Sequence, residues 1–126
     1  MSMIATLSGT VTLIDSDTGT VALSKSLSVS FTGLLSSVAN AVLVGTGNTT
    51  VVIPNTTANF IYVKNNHATQ TLTVTWTPNG GSSAAVQTLE PGGVAIIVQP
   101  ATGGGITAMV LTASGASTPV EWMILG

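Results

Sequence analysis

Residues 71–77, TLTVTWT, put Leu72, Val74 and Trp76 on one side of an extended chain and four Thr on the other. Strict alternation of apolar and polar residues is the period of a half-buried β-strand, and β-branched residues suit its pleated surface. The same period runs through much of the chain. In residues 5–13, Ala5, Leu7, Gly9, Val11 and Leu13 share a face, opposite Thr6, Ser8, Thr10 and Thr12. A second strand sets Val21, Leu23, Leu27, Val29 and Phe31 inward and Ser or Thr outward, with Lys25 interrupting the apolar face at its midpoint. Residues 60–64 (FIYVK) read as a buried strand, and residues 85–89, 106–112 and 120–125 as further strands. Between 94 and 98, Val94, Ile96 and Val98 are expected to face inward.

Turn residues fall between these runs. DSDTGT at 15–20, Asn65-Asn66-His67, Pro78-Asn79-Gly80-Gly81, Glu90-Pro91-Gly92-Gly93 and Pro100 with the triple glycine at 103–105 each supply the Asp, Asn, Pro or Gly that chain reversal requires. Residues 45–50 (GTGNTT) read as a loop, followed by a brief strand from Val51 to Ile53 that Pro54 ends. The segment 34–44 is ambiguous. Leu35, Val38, Ala39 and Val42 fit a short helix, whereas Val42 and Val44 fit a strand, so a turn or helical piece leading into a strand near 41–45 is expected.

The expectation is an all-β chain of about eight to ten short strands, folded as an antiparallel β-sandwich that is jelly-roll-like, with an immunoglobulin-like sandwich as the alternative. A length of 126 residues suits a single domain spanning 1–126. Residues 1–32 are expected to be the first two strands of that sandwich. The alternative is an N-terminal hairpin, or arm, contacting a neighbouring subunit.

Charge narrows the functional classes. Six residues are charged, Asp15, Asp17, Lys25, Lys64, Glu90 and Glu121, where an average composition would give roughly 31. There is no Arg, and two Lys cannot neutralise a row of phosphates, so nucleic acid is not an expected partner. The chain has no Cys, which removes disulfides, thiol nucleophiles and cysteine zinc sites. MSMIATLSGT lacks a basic n-region and an apolar block, so no secretory signal is expected. The longest aliphatic run, Val94 to Val98, is far short of the ~20 residues of a membrane helix, and no membrane association is expected.

Each chemical motif reads better as structure. Asp15, Asp17 and Gly19 resemble the start of a calcium loop, but the later ligands are missing and a hairpin turn accounts for them. Glu90 and Glu121 each sit beside a turn or strand end, with no spacing that pairs them as acid and base. His67 is the single His, and no G-x-S-x-G elbow accompanies it. Gly45-Thr46-Gly47 and the glycines at 103–105 lack the Lys and helix of a phosphate loop. Asn48-Thr49-Thr50 and Asn55-Thr56-Thr57 match the glycosylation sequon but read as loop composition. Trp76 and Trp122 share faces with aliphatic residues, so core packing is expected ahead of sugar stacking; Tyr62, between Phe60 and Lys64, fits either. No catalytic, cofactor-binding or metal site is expected, and the chain is read as non-enzymatic with no cofactor.

Soluble monomeric sheets guard their edges with Lys, inward charges or covering elements. Two lysines are few for this many strands, so either bulges and prolines protect the edges or partner subunits cover them. The stretches NFIYVKNNHATQTLTVTWTPNGG and VQTLEPGGVAIIV, within residues 59–98, resemble small virion proteins of tailed bacteriophages, above all capsid decoration (cement) proteins and related β-sandwich head or tail proteins. The resemblance implies a jelly-roll-like or immunoglobulin-like sandwich, a homotrimer, and attachment over junctions between major capsid protein subunits. It also implies a place on the outer capsid surface of a virion made in the bacterial host cytoplasm. It transfers no functional residue. The alternatives are a carbohydrate- or receptor-binding module of a phage tail or fibre, and a tail or neck structural subunit.

Overall fold

The computed structural model describes residues 3–33, 36–78, 83–99 and 104–126. The turn at Asn79-Gly80-Gly81, the strand end at Pro100 and Gly103, and Leu35 lie outside the described residues. Ten strands account for most of the described residues: β1 (Met3–Ile14), β2 (Val21–Gly33), β3 (Ser36–Val44), β4 (Thr49–Val51), β5 (Phe60–Asn65), β6 (Leu72–Pro78), β7 (Ala85–Leu89), β8 (Val94–Val98), β9 (Ile106–Ala113) and β10 (Thr118–Leu125). One 3-10 turn, Pro54–Thr56, interrupts them.

Every strand pair is antiparallel, and the strands form three sheets. The first four-stranded sheet runs β3-β10-β5-β8 and the second β4-β9-β6-β7. Both give their inward residues to one core: Val44, Ile61, Val63, Ile97, Val120 and Ile124 from the first, and Leu72, Val74, Met109 and Leu111 from the second. Two antiparallel sheets sharing one apolar layer make a β-sandwich. The alternation read from 71–77 is the reason: Leu72 and Val74 are fully buried while Thr73 and Thr75 look outward.

Five expectations are corrected, the last at Asn65 below. Residues 36–44 are a strand, not a helical piece leading into a strand near 41–45. The register against β10 slips between Val120 and Trp122, where Asn40 and Ala41 together oppose Glu121. A β-bulge of this kind adds one residue to a strand and shifts its later inward positions by one. Inward positions then recur at 37, 39, 42 and 44, a spacing that imitates a helix. The brief strand lies at Thr49–Val51 instead of Val51 to Ile53, so Val52 is exposed. In β8 the inward residues are Ala95 and Ile97, and Val94, Ile96 and Val98 face out. Both faces of VAIIV are apolar, so alternation alone has no preference there.

The fourth correction concerns the first two strands. β1 and β2 pair with each other along nearly their whole length, from Met3↔Gly33 to Ile14↔Val21, and with no other described strand. They form a long two-stranded arm outside both sheets instead of opening the sandwich.

The corner joining the two sheets is organised by Asn65, which belongs to β5 and not to a turn, and is fully buried. Its Nδ2 donates to the carbonyls of Gln70 (2.7 Å), Leu89 (3.2 Å) and Glu90 (3.3 Å), and its Oδ1 accepts from the His67 amide (3.0 Å). The β7–β8 turn docks on its backbone: Asn65 N donates to Gly93 O and Gly92 N to Asn65 O, both at 3.0 Å. That turn closes with Gly93 N on Glu90 O at 2.8 Å, Pro91 at its second position and Gly92 at φ 77° at its third. This is type II geometry, which requires a residue free to take positive φ.

Candidate functional site

The arm carries the surface that the fold leaves unused. At its tip, Asp15 N donates to Thr20 O (2.9 Å) and Gly19 N to Asp15 O (2.8 Å), with Gly19 at φ 68°. Asp15 Oδ1 accepts from the amides of Asp17 (2.8 Å) and Thr18 (3.2 Å). Those two amides hold the Asp15 carboxyl below its ordinary range. The acidic pair thus closes a hairpin, and one of its oxygens serves the turn's own backbone.

Below the tip, register sorts the arm into two kinds of rung. Thr6 faces Ser30, Ser8 faces Ser28, Thr10 faces Ser26 and Thr12 faces Ser24, four consecutive hydroxyl pairs on one side. The intervening rungs pair Leu7 with Val29, Val11 with Lys25 and Leu13 with Leu23. The apolar positions that look like an inward face in the sequence therefore meet in register, and Val11, Leu13 and Leu23 among them are left uncovered by the rest of the described chain. Val11 is 65 % exposed, Leu13 60 % and Leu23 48 %, with Ile14 and Val21 near the tip similarly bare. Burying a Val, Leu or Ile side chain fully is worth ~1.5–3 kcal/mol, so these five half-exposed residues leave about 5 kcal/mol unrealised in the isolated chain. An apolar strip, backed by four hydroxyl pairs with the exposed Ile4 and Ile14 beyond their two ends, marks an interaction surface. Lys25 stands within it.

The two outer faces of the sandwich differ in the same sense. On the second sheet, neighbouring rungs read Thr50–Val110–Thr75–Val86 and Thr112–Thr73–Thr88, a surface rich in hydroxyls. On the first sheet, a single rung crosses all four strands as Val38–Met123–Tyr62–Ile96, and Val94 and Val98 flank Ile96 along β8. Val38, Met123, Ile96, Val94 and Val98 are all exposed. The next rung sets Glu121 against Lys64. Tyr62 Oη donates to Glu121 Oε1 at 2.7 Å. That bond, with a second from Asn66 and the nearby Lys64, holds the Glu121 carboxyl below its ordinary range. The same bond raises the Tyr62 phenol, helped by partial burial and by the Glu121 charge.

The other candidates take structural places. His67 Nδ1 accepts from the amides of Thr69 (3.0 Å) and Gln70 (2.9 Å), so the ring closes the β5–β6 turn. Glu90 opens the β7–β8 turn. Gly45 accepts through its carbonyl from Ala113 N at 2.9 Å, and Asn48 Oδ1 accepts from Thr112 Oγ1 at 2.9 Å, which ties the 45–48 loop to β9. Asn55 lies in the 3-10 turn. Trp76 and Trp122 both pack against the core, and Trp122 Nε1 donates to Ser37 Oγ at 3.3 Å. Among the described residues no three His, Asp or Glu gather as a metal-ligand group, and no helix is long and apolar enough to cross a membrane. Asn65 as a buried organiser escapes a sequence reading that treats Asn65-Asn66-His67 as a turn. The available signal is its phase, because it continues the inward positions of Ile61 and Val63. No protein family, curated protein or solved structure matches this chain.

Proposed function

We propose that this chain is a non-enzymatic structural subunit of a tailed-bacteriophage virion, a capsid decoration (cement) protein that assembles as a homotrimer and bridges major capsid subunits on the outer surface of the head. The observation that carries the proposal is the arm: a hairpin whose apolar residues toward the tip, Val11, Leu13 and Leu23, are left exposed by its own chain. Self-covering would be the simpler solution for a monomer. A surface nearly without charge also suits extensive contacts, since few ions must be stripped of water when it is covered.

Within that reading the sandwich is a jelly roll. Numbering the eight strands after the arm from one to eight, the sheets run 1-8-3-6 and 2-7-4-5. Two interleaved Greek keys generate this order, whereas an immunoglobulin-like sandwich keeps more of its successive strands side by side. The bridging mechanism is mass action: a protein that binds across neighbouring capsid subunits only in the assembled shell stabilises that shell by its own binding free energy. The test is the protein's position and copy number in intact particles. Copies on each hexamer or at each local threefold position are expected; a handful per particle, confined to the tail, would replace decoration by a tail or neck role.

A further inference from the structure

We infer that the apolar face of the β1–β2 arm of one copy lies across the outer face of the β3-β10-β5-β8 sheet of a second copy, over the rung Val38–Met123–Tyr62–Ile96, with Lys25 set against Glu121. The inference rests on the assembly reading above and names the surface that receives the arm.

Three observations select this occupant. The two outer faces of the sandwich are chemically unlike: the first sheet carries the rung Val38–Met123–Tyr62–Ile96 across its full width, whereas on the second Val110 and Val86 are separated by Thr75 and the next rung is Thr112–Thr73–Thr88. An arm that needs an apolar cover therefore finds it on one face of another copy. Charge adds a second constraint. Lys25 is the single charge on the strands of the arm, and it stands on the apolar side, beside Val11. A face-to-face pairing of two arms would bring two ammonium groups into one apolar layer, which is costly. The receiving sheet instead offers Glu121, which accepts from Tyr62 Oη, stands one rung from Met123 and would lie between Lys25 and its own cross-strand neighbour Lys64, so that the carboxylate separates the two ammonium groups.

Size is the third. At about 3.3 Å per residue and roughly 10 Å for two strands, the arm's face is about 40 by 10 Å. One arm–sheet contact covers about 400 Å² on each partner, about half of a standard interface, and each copy in a closed ring makes two, so about 800 Å² per copy is covered by the ring as a whole. Such a contact joins two different patches, and a head-to-tail contact of this kind closes into a ring when its rotation permits. A trimer is one such ring.

The chain's lack of Cys makes the test clean. One tagged chain carrying Leu23→Cys is mixed with untagged chains carrying Met123→Cys, under conditions that allow subunit exchange, and treated with a short bifunctional maleimide. Both positions are exposed, so the substitutions leave the core alone. Thr75→Cys, on the outer face of the second sheet, is the control. The expected result is an L23C–M123C cross-link at least about tenfold above L23C–T75C. Lys25→Glu should weaken self-association about tenfold, and K25E with Glu121→Lys in the same chain should restore it. Cross-links from L23C to L23C in an intact oligomer would overturn the receiving surface while leaving the assembly reading in place. A chain that light scattering finds monomeric at every concentration would overturn both.

Discussion

Replacing Asn65 by Ala tests whether one buried amide holds the two sheets together at their corner. The side chain makes four hydrogen bonds, three from Nδ2 and one to Oδ1. Two of the Nδ2 bonds, to Leu89 and Glu90, are long and share one hydrogen's worth of donation, so three full bonds are the fairer count. At about 1 kcal/mol net per bond the loss is about 3 kcal/mol, and the Glu90 carbonyl keeps its bond from Gly93 N. Against a typical total of 5–15 kcal/mol that is a large fraction. Urea unfolding at a single protein concentration, followed by the fluorescence of the core-packed Trp76 and Trp122, should show the midpoint fall with little change in slope. Asn65→Asp should be worse at neutral pH, because it aims a carboxylate at three carbonyls, and should recover part of its deficit in acid. A loss under about 1 kcal/mol for N65A would show that the amide does not hold this corner, its carbonyl partners being satisfied without it.

Two further outcomes follow from the same geometry. In Tyr62→Phe the Glu121 carboxyl loses the phenol hydrogen bond, and its titration, read by NMR, should move up toward the ordinary carboxylate range. The sign in the unaltered chain runs both ways: the lowered Glu121 favours folding above the ordinary carboxylate pKa and ceases to as pH falls through its folded value, whereas the raised Tyr62 favours folding below about pH 10 and ceases to as pH rises past its folded value. Ile97→Ala should cost about 2–4 kcal/mol by denaturant unfolding, because Ile97 is buried. Ile96→Ala should cost under about 0.5 kcal/mol in a non-associating background, because Ile96 is half-exposed. The reverse ranking would contradict the facing of β8.

Strand positions were largely legible because alternation and turn chemistry agree at most of them. Thr73 and Thr75 against Leu72 and Val74 leave one possible facing, and Pro91-Gly92 can hardly be anything but a turn. Legibility failed where the local pattern had no unique solution. VAIIV offers two apolar faces, and a bulge at Asn40-Ala41 gives a strand the spacing of a helix. Asn65 has the composition of a turn and the phase of a core position, and only burial distinguishes the two. The arm failed for a different reason. Val11, Leu13 and Leu23 alternate with hydroxyls as any inward face does, and alternation records that a face is to be covered without recording by which chain. The candidate surface was thus written in the sequence as core, and topology turned it outward. Lys25, the one charge in the middle of an apolar strand face, was the local sign that this face differed from the others.

The most direct test of the account is the molar mass of the intact chain in solution at micromolar concentration, by size-exclusion chromatography with light scattering, beside the double variant Leu13→Asp and Leu23→Asp. The account predicts a trimer for the unaltered chain, three times its 12.5 kDa, and a folded monomer for the variant, since both substituted residues lie on the uncovered arm and outside the core. An unaltered chain that runs as a stable monomer, or a variant that keeps the full oligomeric mass, would contradict it.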